Sequence, residues 1–165
     1  MTKSKTHRTE TNKPASTVRV IKKVTCPTLS EKSELTYCLG NNPDNQLMMK
    51  IYSNSGGGFF SDEWLSVADI LDTLKNWDSD KAITSVALTK LFRGRSVNTP
   101  AFLIAALKAE GILEPIEGKQ RCHHIGDVEG FLSQAKQLQS GKAPRKASTR
   151  KAPPRKKVPA KKKKA

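Results

Sequence analysis

Residues 98–125 read NTPAFLIAALKAEGILEPIEGKQRCHHI. Asn98-Thr99-Pro100 is a helix start, a capping residue followed by Pro at the first helical position, where its missing N–H costs nothing. The spacing predicts a helix over Pro100–Glu110, stopped by Gly111. Ile112–Ile116, Glu117-Gly118-Lys119 and Gln120–Ile125 then read as strand, tight turn and strand. The helix is apolar nearly all round. Phe102, Leu103, Ile104 and Leu107 are large, Ala101, Ala105, Ala106 and Ala109 are small, and only Lys108 and Glu110 are charged. Such a helix is usually buried or meets another protein.

Upstream, Val67, Ile70, Leu71 and Leu74 recur at i, i+3, i+4 and i+7, with Asp69, Asp72 and Asn76 opposite. This is an amphipathic helix, with Ser61 or Ser66 as its cap, the latter pairing with Asp69. A second helix is expected from Asp80 or Thr84 through Phe92, closed by Arg93-Gly94-Arg95. Downstream, a last helix starts at Asp127 with Val128, Phe131, Leu132, Ala135 and Leu138 as its stripe. The N-terminal half alternates instead. Thr17–Val24 predicts a strand ending near Cys26-Pro27. Glu34–Leu39 and Gln46–Ser53 predict a β-hairpin around the turn signal Gly40–Asn45. Leu47, Met49 and Ile51 fall on one face, and Met48, Lys50 and Tyr52 on the other. Ser55-Gly56-Gly57-Gly58 reads as a joint between the two parts, with Phe59-Phe60 docking them and Trp64 and Trp77 as core anchors.

The order from Ser66 to Ile125, helix, helix, short turn, helix, hairpin, resembles the winged helix–turn–helix superfamily. The likeness covers about 60 of the 165 residues. It rests on the turn Phe92-Arg93-Gly94-Arg95-Ser96, the helix PAFLIAALKAEG and the hairpin ILEPIEGKQRCHHI. It implies that the third helix lies in the DNA major groove and that the hairpin, or wing, touches the backbone or minor groove. Base edges are read by polar side chains, which this helix largely lacks. Backbone binding is therefore expected, from Arg93, Arg95, Asn98 and Thr99 around a helix N-terminus, from Lys108, and from Lys119 and Arg121 on the wing. Of the residues along the helix, Ala101, Ala105 and Lys108 are expected to face outward.

Charge is the strongest signal. The chain carries 30 Lys+Arg against 15 Asp+Glu, a net charge of +15. Residues 140–165 hold 12 of the basic residues and no acid: Lys142, Arg145, Lys146, Arg150, Lys151, Arg155, Lys156, Lys157, Lys161, Lys162, Lys163 and Lys164. Residues 1–16 add three further net positive charges, and residues 17–139 are neutral overall. Both tails lack aromatics and are expected to be disordered. The C-terminal one is interrupted by Pro and self-repelling, hence extended, and an extended polycation binds phosphates by counterion release without sequence preference. It resembles the Lys/Ala/Pro-rich tails of linker histones and bacterial histone-like proteins.

Other chemistry is thinly supported. Cys122, His123 and His124, with Cys26 and Cys38, offer zinc donors, but no CxxC or HxxxH spacing assembles them. Buried thiols and a partly exposed His pair are expected instead. The Gly56–Gly58 run lacks the Lys-Ser/Thr of a phosphate-binding P-loop. No apolar run is long enough to span a membrane, and no secretory signal is visible. The reading is an α+β chain: a disordered tail over 1–16, a β-hairpin subdomain over 17–60, a winged-helix-like domain over 61–139 and a disordered tail over 140–165. It predicts a non-enzymatic, largely sequence-independent DNA-binding protein, architectural or regulatory, cytoplasmic or nucleoid-associated (nuclear in a eukaryote). No cofactor, metal or membrane partner is expected. Two alternatives stay open: an interaction adaptor tethered to nucleic acid by its tail, and an RNA- or ribosome-associated protein.

Overall fold

Alternating apolar residues in the N-terminal half build a sheet with one buried face. A computed structural model describes residues 17–93 and 96–141; the expectations for both tails lie outside these residues. Strands β1 (Arg19–Pro27), β2 (Glu34–Asn41), β3 (Leu47–Asn54) and β4 (Leu65–Ser66) form an antiparallel sheet in that order. Leu39 pairs with Met49 and Tyr37 with Ile51. These four, with Leu35, are buried on the inner face. The β2–β3 turn closes through Asn42, whose Oδ1 accepts from Gln46 N–H at 2.8 Å, while Asn45 takes a left-handed φ of 60°. Asn tolerates that conformation, which explains the Asn-rich turn signal.

The second half is helical, and the fold is α+β. Helix α1 (Val67–Lys75) is capped by Ser66, whose Oγ accepts from Asp69 N–H at 3.4 Å. Val67, Ile70, Leu71 and Leu74 are all buried, as their spacing predicts. Helix α2 spans Thr99–Ala109. It ends in two nested bonds, Ile112 N–H to Leu107 O (3.0 Å) and Gly111 N–H to Lys108 O (3.1 Å), with Gly111 at φ 76°. This Schellman arrangement needs a residue free of a Cβ penalty at its left-handed position, hence Gly111. Strands β5 (Leu113–Ile116) and β6 (Lys119–Ile125) form the expected hairpin. Helix α3 (Val128–Gln139) starts at Asp127, which accepts from Gly130 N–H at 2.8 Å.

A single core joins the sheet to the helices. Leu35, Tyr37, Leu39, Met49 and Ile51 meet Ile70, Leu88, Ile104, Leu107 and Phe131 in one cluster. Helix α2 runs through its middle, with Leu103 through Leu107 buried. Its apolar circumference is thereby explained. A polar knot ties the sheet to its C-terminal end. Glu110 accepts from Lys22 Nζ (2.7 and 2.8 Å) and from Tyr37 Oη–H (2.5 Å). Burial, then the Glu110 hydrogen bond and charge, push the Tyr37 phenol well above its ordinary range.

Several local expectations fail for physical reasons. The second helix is a 3-10 helix over Ser85–Leu91. Ile83 is held in a bridge to His123, and Thr84 provides no side-chain cap, so only seven residues remain, too few for a stable α-helix. Asn98 makes no cap hydrogen bond because its backbone is already helical (φ −85°, ψ −32°). Ala105 is buried rather than facing solvent, and its carbonyl accepts from the Cys26 thiol at 3.8 Å. Phe60 packs edge-on against Phe102, but Phe59 is 81% exposed, so only one of the pair docks. Trp77 packs against the core. Trp64 does not: it precedes inward-facing Leu65, so the pleat turns it to the opposite face, over Gly40.

Candidate nucleic-acid interface

The hairpin of β5 and β6 turns through Glu117-Gly118, with Gly118 at φ 73°. Only a residue without a Cβ takes that angle cheaply, which is how so tight a tip is possible. The hairpin is pinned to the rest of the fold at His123. Backbone N–H groups of Ile83 and His123 each donate to the other's carbonyl at 2.9 Å. The residues on either side of His123 on β6, Cys122 and His124, take the opposite face. His123 is buried (1% exposed), Cys122 is half-buried and His124 is exposed. The expected partly exposed His pair is therefore split. His124 Nε2 lies 3.2 Å from Glu114 Oε2, its cross-strand partner. Burial pushes the His123 pKa below its ordinary value, and the ring nitrogens find no hydrogen-bond partner among the described residues.

Three of the predicted basic residues come together on one side of this hairpin. Lys108, Lys119 and Arg121 line an open cleft of about 990 Å³. Its walls are Pro115–Cys122 and, from the β1–β2 connection, Leu29 and Glu31. Lys108 reaches it from the last turn of α2 and is exposed, as are Lys119 and Arg121. Glu31 and Glu117 contribute two carboxylates, so the cleft is cationic by one charge. Arg121 and Gln120 also border a second cleft of about 610 Å³, which holds Asn98, Thr84 and Ser85. Leu29, Val86, Ala101 and Phe102 share its lining, so the surface from the wing to the residue before α2 is mixed polar and apolar.

The other predicted contacts are not assembled there. Thr99 is fully buried, and its Oγ1 accepts from Ser61 N–H at 2.9 Å. Its hydroxyl is already engaged inside the fold, which removes it from the set. Phe59 O accepts from Ser96 Oγ (2.9 Å) and Asn98 Nδ2 (3.5 Å). Segment 59–61 therefore lies against the start of α2, and the helix N-terminus is not an open phosphate site. Arg93 is exposed, but its backbone N–H donates to Glu63 Oε1 at 3.2 Å, which places a carboxylate beside it. Arg95 and the tail residues Lys142 through Lys164 lie outside the described residues.

No motif in the sequence marks a site on the sheet, yet its outer face carries Lys23, Lys50, Tyr52 and Trp64. Lys23 Nζ stands 3.4 Å from the Tyr52 ring centroid, and Lys50 Nζ 5.3 Å from that of Trp64. The signal was present in the alternation of Met48, Lys50 and Tyr52. Among the described residues, no group of three or more His, Cys, Asp or Glu could hold a metal ion. Cys26 is in the core, Cys38 is buried in β2 and Cys122 is on the wing. No helix among the described residues is long and apolar enough to cross a membrane. Comparisons with family models, curated proteins and solved structures give no match to this chain.

Proposed function

We propose that this chain is a non-enzymatic DNA-binding protein that works largely without sequence preference. The observation that carries the reading is charge placement: 12 of the 30 basic residues, and no acid, fall in residues 140–165. Such a segment gains affinity from every phosphate it neutralises, whatever the bases. The wing adds a weaker and more oriented contact through Lys108, Lys119 and Arg121. The order α1, 3-10 helix, α2, hairpin supports a winged-helix-like reading, and so does the bridge that ties the hairpin to Ile83. Helix α2 departs from the usual use of such a fold. Leu103 through Leu107 are buried in the core, and of its exposed or half-buried positions within Thr99–Ala109 only Lys108 carries a polar side chain, so it has little with which to read a groove. Positioning contacts without base contacts give affinity and little specificity. An architectural or regulatory role on the nucleoid, or in a nucleus, fits that combination.

The test is to compare binding to several unrelated duplexes of equal length. Affinities within a few-fold of one another support the proposal. A preference of a hundredfold or more for one sequence would overturn it, because that margin requires base readout. A second reading has its own observation. Phe59 and Val97 are 81% and 86% exposed, and they lie on segments joined through the Ser96 and Asn98 bonds to Phe59 O. Exposed apolar side chains of this kind suit a protein contact, with the tail acting as a tether to DNA or to RNA.

A further inference from the structure

The sheet register sets three side chains in a row on the face opposite the core. Lys23 pairs with Cys38, and Cys38 with Lys50. Trp64, just before β4, falls beside Lys50, and Tyr52 lies two residues further along β3. The two ammonium groups sit over the two rings, and both are close enough to draw the Cys38 thiol toward ionisation, though burial outweighs them. Tyr52 is 51% exposed. The face therefore offers two aromatic surfaces and two cations side by side.

We propose that this face is a stacking platform for single-stranded DNA, with Tyr52 and Trp64 taking bases and Lys23 and Lys50 taking phosphates. The inference rests on the nucleic-acid reading above and names the strand form that the sheet accepts. Stacked rings can engage only bases that are not already paired and stacked in a duplex, so the face discriminates by strand form. The lysines now over the rings do not prevent it. An exposed cation–π contact is worth about two- to fivefold in an equilibrium, whereas a base stacked on an aromatic ring is worth about 5- to 150-fold. A base therefore displaces the ammonium, which is then free to pair with the adjoining phosphate. Glu34, on the same face of β2, limits its pull on phosphates, so stacking leads. The Thr25 and Thr36 hydroxyls, one cross-strand pair along the same face, hydrogen-bond each other at 3.0 Å.

The chain has two tryptophans, so full-length protein carrying Trp77→Phe reports on Trp64 alone. Titration with oligothymidylate should quench Trp64 emission, and a blunt duplex should not. Tyr52→Ala should weaken the single strand about tenfold and leave the duplex within about twofold. In unsubstituted full-length protein, photo-cross-linking to bromouridine-containing single-stranded DNA should mark the peptides that contain Tyr52 or Trp64. Equal affinity for both strand forms with Trp64 unquenched, or cross-links confined to residues 140–165, would overturn the platform and leave the DNA-binding reading intact. Absence of binding to either form would overturn both. Markedly tighter binding of oligouridylate RNA would overturn the assignment to DNA.

Discussion

Glu110 is where the sheet and α2 are tied together, and its removal has a calculable cost. The carboxylate is 5% exposed and holds Lys22 Nζ at 2.7 Å and the buried Tyr37 hydroxyl at 2.5 Å. Glu110→Ala leaves that hydroxyl without its acceptor in the core, and a hydrogen bond to a charged group is worth about 1.5–3 kcal/mol. It also leaves Lys22 unpaired. Breaking a fully buried ion pair costs about 3–5 kcal/mol, but Lys22 is 32% exposed and recovers part of its hydration. The net loss should be about 2–3 kcal/mol, or roughly 6–15 °C in Tm for a domain of this size. Urea unfolding followed by tryptophan fluorescence measures it directly. Combining Glu110→Gln with Tyr37→Phe should give a coupling energy of about 1 kcal/mol or more. A loss under about 0.5 kcal/mol, or a coupling near zero, would refute the claim that this knot holds the two layers together.

Three further outcomes follow from the same geometry. Burial of His123 lowers its pKa, with the Ile83 and Arg121 carbonyls opposing and the Lys108 and His124 charges assisting. The unfolded chain then takes up the proton near 6.5 while the folded chain resists it, so stability is full above that pH and declines as pH falls through it. His123→Phe should flatten this part of the profile, and an unchanged slope would show that His123 is not its source. Ala105→Leu should destabilise by about 1–3 kcal/mol in a thermal melt, because Ala105 is buried in the packed core and the added carbons overfill it; a neutral result would mean that the helix face is open after all. Lys119→Glu with Arg121→Glu should weaken duplex binding and reduce its salt slope by about two, whereas Arg93→Glu should change little beside Glu63. Equal effects of the two changes would move the contact back to the turn before α2.

Much of this architecture was legible in local pattern. The stripe Val67, Ile70, Leu71, Leu74, the stop at Gly111 and the alternation around Asn41–Gln46 each set a local preference that packing then reinforced. The 3-10 helix was not legible, because it depends on Ile83 being bridged to His123, 40 residues away in the chain. Strand β4 is two residues long and carries no periodicity of its own. At the candidate site, the sequence placed Lys119 and Arg121 on a hairpin. It could not place Lys108 or Glu31 in the same cleft, since that rests on how the β1–β2 connection sits over the wing. Thr99 read as part of an exposed helix start because a Thr between Asn and Pro carries no mark of burial. Only the Ser61 N–H, 38 positions earlier, reveals where its hydroxyl goes.

The central claim, that the polycationic segment 140–165 supplies most of the affinity for DNA, is tested most directly by its salt dependence. The measurement is the duplex affinity of the full chain, and of a chain ending at residue 139, over a range of salt concentrations. If about eight of the 12 basic residues contact phosphates, log affinity against log salt should fall with a slope of about −7 for the full chain. The shortened chain should show a much shallower slope of about −3 or less, with weaker binding to all sequences alike. An unchanged slope after removal of the segment would contradict the account.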